Sequence, residues 1–246
     1  TMPAKTYFDQ VRAALDAVER TQTEAIRTAA GRMIDAVVQG RALFAFGATH
    51  SFIVAQELVY RTGGLMLVNP IYPHGMDFSV HPLPATSQME RVPGLGATLL
   101  DMSPAVSGDV LLIASTSGRN AVVVDMALRA RDKGVTVIGM TALAYTHGVT
   151  SRHPSGKKLA DLCDVVIDNG APYGDAAVDV PGFAQKIAPL SSVTGCAIAN
   201  ALVTEVVEGL VARGRVPPVF MSANLDGGDA FNRRLLAENR TRIHYL

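Results

Sequence analysis

The chain has 246 residues, 48% of them hydrophobic, enough for one large α/β domain or two small ones. Lys plus Arg and Asp plus Glu stand at 22 each, so the formal net charge is zero and neither a general nucleic-acid binder nor a membrane-surface protein is expected. No run of 18 apolar residues occurs, the first ten residues lack an apolar signal core, and Cys163 and Cys196 have neither disulfide-framework nor metal spacing; the expectation is a cytoplasmic chain with reduced, core-packed thiols.

Residues 4–39 read as two amphipathic helices. Phe8, Val11, Leu15 and Val18 recur at helical spacing, followed by Ile26, Met33, Ile34 and Val37, and Gly40 suits a C-cap. Their apolar stripes exceed what a single sheet face covers. Residues 1–40 are therefore expected to pack on the rest of the domain or on a dimer partner, with 41–246 as the main domain.

Residues 42–46 (ALFAF) read as a buried strand, followed by GATHS at 47–51 and a helix over 52–61 that Gly63-Gly64 closes. Residues 65–68 form a third short strand, stopped by Asn69-Pro70. Between 70 and 98, Pro, Met, Gly and Ser leave little periodicity. A mobile loop with one short helix around 88–92 is expected there, and so long a loop points to a functional or partner-binding role.

Residues 110–114 (VLLIA) read as another buried strand, ending in Ser115-Thr116-Ser117-Gly118. Arg119-Asn120 and the alanine-rich AVVVDMALRARDKG follow as a helix. Backbone N–H groups and the positive helix end point outward at such a turn, and short hydroxyls add hydrogen bonds without crowding, so the turn suits a phosphate. It is neither a P-loop nor a G-x-G-x-x-G turn. A Ser/Thr N-cap is the plain structural explanation, but three hydroxyls exceed what a cap needs.

Residues 135–141 form a further buried strand, 151–159 (SRHPSGKKL) a polar loop, and 163–168 (CDVVID) the last obvious strand. Residues 181–188 are ambiguous. Residues 191–213 read as a long helix, apolar around its circumference and deeply buried, which Pro217-Pro218 ends; 232–242 form a final polar helix. Strands alternating with helices indicate a parallel sheet covered on both faces, with the ligand beyond the carboxyl ends of the strands. Both hydroxyl-rich turns fall there.

GATHS before one helix and STSGRN before another resemble the sugar isomerase (SIS) phosphosugar-binding domain. SRHPSGKKL, CDVVIDN and FMSANLDGGDAFN look like a bacterial branch of stand-alone SIS proteins, and the likeness runs through essentially the whole chain. The resemblance implies a three-layer α/β/α flavodoxin-like parallel sheet with N-terminal helices. It implies a homodimer or homotetramer with active sites finished by a neighbouring subunit, and a sugar phosphate as ligand. Carried over by position, Ser115, Thr116, Ser117 and Asn120 would hold the phosphate, with Ser51 from the first turn. Family members include aldose–ketose isomerases, N-acetylmuramic acid 6-phosphate etherase, amino-sugar 6-phosphate dehydratases and sensing modules.

Such reactions begin with ring opening and removal of the proton next to the carbonyl. Glu57, in the helix after GATHS among apolar neighbours, is the leading base, because partial desolvation raises a carboxyl pKa. His50 could open the ring, bind a hydroxyl or cap the helix. Glu205, in an apolar segment, must be paired or face a pocket. Asn224 is a candidate for ligand contact or for bracing the NLDGGD turn, whose Asp226 and Asp229 read mainly as turn residues. His244 could reach a neighbouring site. His74, His81 and His153 read as loop histidines; Arg152, Lys157 and Lys158 could offer charge to a phosphate but read first as a solvated loop; and Asp168-Asn169 read as either a site or a turn cap. No metal cluster and no cofactor are expected. The leading expectation is a lyase that dehydrates N-acetylglucosamine 6-phosphate by C2 proton abstraction and β-elimination at C3. A sugar-phosphate isomerase and a non-catalytic phosphosugar sensor are the alternatives.

Overall fold

Short apolar runs rich in Val, Leu, Ile and Phe build one all-parallel sheet in the order β2-β1-β3-β4-β5. The computed structural model describes residues 2–246. The strands are β1 (Leu43–Gly47), β2 (Val68–Pro70), β3 (Val110–Ala114), β4 (Thr136–Thr141) and β5 (Val165–Asp168). Two more, β6 (Ala176–Val178) and β7 (Ile187–Pro189), pair antiparallel as a separate ribbon. In chain order the helices are α1 (Pro3–Val38), α2 (Phe52–Leu58), α3 (Pro84–Met89), α4 (Leu95–Met102), α5 (Ala121–Asp132), α6 (Leu143–His147), α7 (Ser191–Ala212) and α8 (Gly228–Glu238).

Alternation along the strands divides the core in two. Leu43, Ala45, Leu112, Ala114, Ile138 and Met140 pack under α1, α2 and α7. Phe44, Phe46, Leu111, Ile113 and Val137 pack under α4 and α5. This is the three-layer α/β/α arrangement that the resemblance implies. The tail closes the β2 edge. Buried Asn69 donates through Nδ2 to the carbonyls of Leu43 (3.1 Å), Leu67 (3.3 Å) and Arg242 (3.0 Å), and its Oδ1 accepts from His244 N–H (2.7 Å).

Several elements differ from the sequence expectation. The N-terminal region is one unbroken helix rather than two. The polar stretch around Thr21 does not break it, because Thr21, Thr23 and Thr28 each donate to the carbonyl four residues back and stay within the helix. Helix α2 ends at Leu58, not at 61, because Val59 turns extended and Tyr60 adopts φ 47° to set its ring against Phe220 and Tyr245. Leu65 belongs to an isolated antiparallel bridge with Val219, so the third strand begins later, at Val68. Residues 70–98 hold more order than a mobile loop with one short helix around 88–92. They bury Ile71 and Met76 and carry α3 and the start of α4. Helix α7, long and apolar enough to cross a bilayer, buries Ile198, Leu202, Val206 and Leu210 in the core as a core helix does, but Val193 and Val211 on its other side are exposed. Both cysteines are free thiols, and burial pushes Cys163 up to about 12.

Helix α4 lies against α5 across Gly96, where an added Cβ would stand 1.9 Å from the Val122 carbonyl oxygen. Gly31, in α1, has open space around it. Gly96→Ala is therefore expected to cost about 1–3 kcal/mol by overpacking, whereas Gly31→Ala is expected to stabilise by about 0.5–1 kcal/mol through helix propensity. Urea denaturation of the two variants checks both signs. Equal midpoints would mean that the α4–α5 approach does not depend on glycine.

Candidate active site

The strand order reverses between β1 and β3, and their register sets Gly47 beside Ala114. The turns leaving these two strands therefore lie side by side at the carboxyl edge, where α2 departs to one face and α5 to the other. That crevice is the general ligand position in open parallel sheets.

Glycine permits the first turn. A Cβ on Gly47 would lie 2.3 Å from the Ser51 carbonyl oxygen. Thr49 sits in the left-handed region at φ 53°, and its N–H donates to Met76 O (2.8 Å). A 3-10 turn over Thr49–Ser51 then leads into α2.

The second turn has every carbonyl from 116 to 119 occupied. Thr116 O accepts from Ala142 N–H (3.0 Å) and Thr141 Oγ1 (3.1 Å), and Ser117 O from Thr146 Oγ1 (3.0 Å). Gly118 O accepts from Leu159 N–H (2.8 Å), and Arg119 O from Arg152 N–H (2.8 Å). Gly118, at φ 63°, donates its N–H to Ser115 Oγ (3.2 Å). By contrast, the N–H groups of Thr116, Ser117, Arg119 and Asn120 have no protein acceptor among the described residues. Asn120 stands at the N-cap of α5 but makes no capping bond; its Oδ1 accepts from Arg152 Nη1 (3.0 Å). The side chains are thus not used as helix caps, and the turn presents donors to the cleft.

The cleft has a volume of about 420 Å³, within the range of small-ligand sites. It brings together His50, Ser51, Ser115, Thr116, Ser117 and Asn120. The His50 ring stands edge-on to Phe78, with centroids 4.5 Å apart. Buried Asn169 lines a small adjoining cavity with Ser115 and Ser191, and its Oδ1 accepts from Ala171 N–H (3.0 Å).

The other candidates lie elsewhere. Glu57 is ion-paired with Arg61 and accepts from Asn200 Nδ2 on α7 (2.7 Å), outside the cleft lining. Glu205 pairs with Arg27 (3.5 Å) in the groove between α1 and α7, so the charge in that apolar segment is matched by pairing. Asn224 is in an exposed loop, with its N–H on Ser222 Oγ (3.3 Å). Asp229 borders a separate hollow beside Tyr60 and Arg61. His244 stacks on Phe44 near the start of β1. His153 is no free loop residue: it meets buried Asp125 (2.8 Å) and Ser155 Oγ (2.7 Å) and ties the 151–158 loop to α5. Lys158 reaches the carbonyls of Thr146 and Val149, and Asp168 accepts from Leu143 and Gly170 N–H.

Sequence reasoning missed Glu90, Arg91, Arg119, Tyr145, Asp175 and Ser191, and assigned Arg152 to a solvated loop. All seven line the cleft. Glu90 is held there by its backbone, because its carbonyl accepts from Val122 N–H in the first turn of α5 (3.1 Å). Burial pushes its carboxyl above the ordinary range, against the downward pull of Asn120, Arg91 and Arg152. Burial, then the Arg119 and Arg91 charges, pushes Arg152 down. Arg119 Nε is buried without a partner. Asp175 holds the start of α7, accepting from Ser191 N–H (2.8 Å) and Ser191 Oγ (2.6 Å). The only available signal was the chemistry of the side chains themselves, since 84–94 and 145–152 have no periodic pattern.

A sequence profile described as the SIS domain matches residues 6–142. The chain belongs to the SIS-domain family. A UPF0309 protein of Shouchella clausii is 43% identical over 240 residues, covering 98% of each chain. Another, from Streptomyces griseus, is 45% identical over 240 residues, covering 97% of this chain and 96% of its own. Among solved structures, a phosphoheptose isomerase from Francisella tularensis superposes with a TM-score of 0.56 at 18% identity, covering 83% of this chain and 96% of that one. Phosphoheptose isomerase GmhA from Neisseria gonorrhoeae gives 0.54 at 16% identity, covering 83% and 97%. At these identities the likeness is one of fold.

Burial pushes the Glu90 carboxyl above the ordinary range, so stability is expected to depend on pH through it. A carboxyl whose folded pKa is raised is harder to ionise in the native state, so its contribution to stability is lost as pH rises through that pKa. Glu90→Gln is therefore expected to match or exceed wild-type stability at pH 7. The difference should vanish below about pH 4, where the carboxyl is protonated in both states. Urea midpoints across this range check it. A variant less stable than wild type at pH 7 would show that the charged cleft stabilises the carboxylate.

Proposed function

We propose that the cleft binds a sugar phosphate, with its phosphate on the 115–120 turn beside Ser51, and that the protein is a cytoplasmic, cofactor-free enzyme acting on that sugar. One observation carries this reading: four backbone N–H groups without acceptors stand among hydroxyls at the start of α5, beside the β1–β3 switch. Helix starts of this kind suit phosphates. Membership of the SIS-domain family supports it.

The reaction we propose is elimination, in its concrete form the dehydration of N-acetylglucosamine 6-phosphate. In the open-chain aldehyde a base removes the C2 proton. The enolate then collapses to a C2–C3 double bond, and the C3 hydroxyl leaves with a proton as water. Two carboxyls line the cleft: Asp175 is held by Ser191 at the start of α7, whereas Glu90 has no ion pair among the described residues and is the group proposed to take the proton. His50, from the facing turn, is the second proton-handling group. Glu57 would act as base only by exchanging Arg61 and Asn200 for substrate. Glu205 and Asn224 take no part in this reading within one subunit.

We extend the proposal to a homodimer or homotetramer that finishes the site. Helix α7 supports this, because it is apolar and still exposes Val193 and Val211. A monomeric mass by light scattering would remove this part.

Proton NMR of N-acetylglucosamine 6-phosphate with the protein in heavy water tests the chemistry. The expected result is loss of the C2 proton signal and the appearance of vinyl resonances, abolished by Glu90→Gln. A ketose instead would make the protein an isomerase, and binding with an unchanged spectrum would make it a sensor. If Glu57→Gln abolishes exchange and Glu90→Gln does not, the base is Glu57. Ser117→Ala should weaken binding of the sugar phosphate by about 1–3 kcal/mol, the worth of a charge-assisted hydrogen bond, with little change in stability. Calorimetric titration reads this, and an unchanged affinity would move the phosphate off the turn.

A further inference from the structure

One buried carboxylate outside the cleft joins the two segments on which the cleft's chemistry rests. Asp125 stands one helical turn after Val122 and so on the same face of α5. Its Oδ2 accepts from Gly94 N–H (2.6 Å), and its Oδ1 meets His153 Nε2 (2.8 Å). His153 Nδ1 accepts from Ser155 N–H (3.0 Å), so the ring proton sits on Nε2 and is donated to Asp125. Both side chains are nearly buried, and neither lines the cleft.

The two bonds lead to different parts of the site. Gly94 ends the segment that begins at Glu90, and the Glu90 carbonyl itself accepts from Val122 N–H (3.1 Å). His153 belongs to the loop that holds the phosphate turn, where Arg152 N–H donates to Arg119 O (2.8 Å) and Leu159 N–H to Gly118 O (2.8 Å). Residues 90–94 and 151–158 lie outside helices and strands, so no regular hydrogen-bond ladder sets their separation. A carboxylate is costly to bury unless its oxygens are matched, and each oxygen of Asp125 is matched by a different one of these segments. The pair thus spans from the proposed proton-transfer group to the proposed phosphate seat.

We propose that Asp125 and His153 are positioning residues, which together fix the separation of the Glu90 carboxyl from the phosphate turn. This rests on the reading that the 115–120 turn takes the phosphate and Glu90 takes the C2 proton. Misplacing a reacting group by about 1 Å can slow a reaction about a hundredfold while every contact to the substrate's far end is kept. Loosening either bond of Asp125 is therefore expected to act on turnover rather than on binding.

The test follows loss of the C2 proton signal of N-acetylglucosamine 6-phosphate in heavy water over a range of concentrations, which gives kcat and KM for the whole protein. His153→Ala removes the donor to Asp125, whereas His153→Gln keeps an amide N–H within reach of it. Asp125→Asn keeps the volume but offers one acceptor to two donors, so one bond is lost whichever way the amide turns. In His153→Ala and Asp125→Asn, kcat is expected to fall at least about tenfold with KM within about twofold of wild type. His153→Gln is expected to recover kcat to within about threefold of wild type. A merely structural pair would lower the urea midpoint and leave kcat unchanged. If His153→Ala does not fold, the isosteric Asp125→Asn decides. Wild-type kcat in these variants, a loss confined to KM, or a His153→Gln as slow as His153→Ala would overturn the positioning role and leave the proposed function in place. A wild-type protein that never exchanges the C2 proton, or exchange that survives Glu90→Gln, would overturn that function's chemistry and the positioning role with it.

Discussion

The parallel pairing of β1 with β3 brings Gly47 and Ala114 to the same level of the sheet, and the rest of the cleft depends on that register. Strand order reverses at this pair, so the chain leaves β1 toward one face and β3 toward the other. A gap opens between the departing helices. A slip of the register would part the two hydroxyl turns even though each kept its local geometry.

The structure treats polar groups in two contrasting ways. At the β2 edge, Asn69 is buried with both ends of its amide satisfied, and the tail is tied to the sheet through it. Near the cleft, His153 and Asp125 are likewise matched. Inside the cleft the pattern reverses. The carbonyls of 116–119 are each taken by the 141–159 segment, and the N–H groups of the same turn are left without acceptors. Tying down the carbonyl side fixes the orientation of every peptide in the turn. The donors are then held outward before any ligand arrives, so little ordering cost remains on binding.

Strands and hydroxyl turns were legible in the sequence because their cause is local. VLLIA is apolar at consecutive positions, and STSG carries its chemistry in four adjacent residues. The errors lie where tertiary context decides. The two apolar stripes of 4–39 belong to one helix, within which Thr21 and Thr23 hydrogen-bond back to the carbonyls four residues earlier. Residues 70–98 lack periodicity because they make short helices joined by turns, and their order comes from docking Gly96 against α5. Glu57 and Glu205 drew notice as acids among apolar neighbours. Each had a basic partner, in one case Arg61 a turn away and in the other Arg27 on a different helix, and sequence spacing could not show the second. Glu90 had no such local mark. Its position depends on one backbone bond to Val122, thirty-two positions along the chain.

The same contrast bears on which carboxylate is free to do chemistry. Glu57 is held by Arg61 and Asn200 and must give up those bonds before it can meet a substrate. Glu90 is close to arginines but ion-paired with none, and burial outweighs their pull on its proton. A carboxyl without an ion pair has no such bond to surrender before it takes a proton. The arginines then have a separate role. They offset negative charge brought in by a ligand. The donor-rich turn, the arginines and Glu90 come together because α4 packs on α5 and because the 141–159 segment bonds the turn's carbonyls.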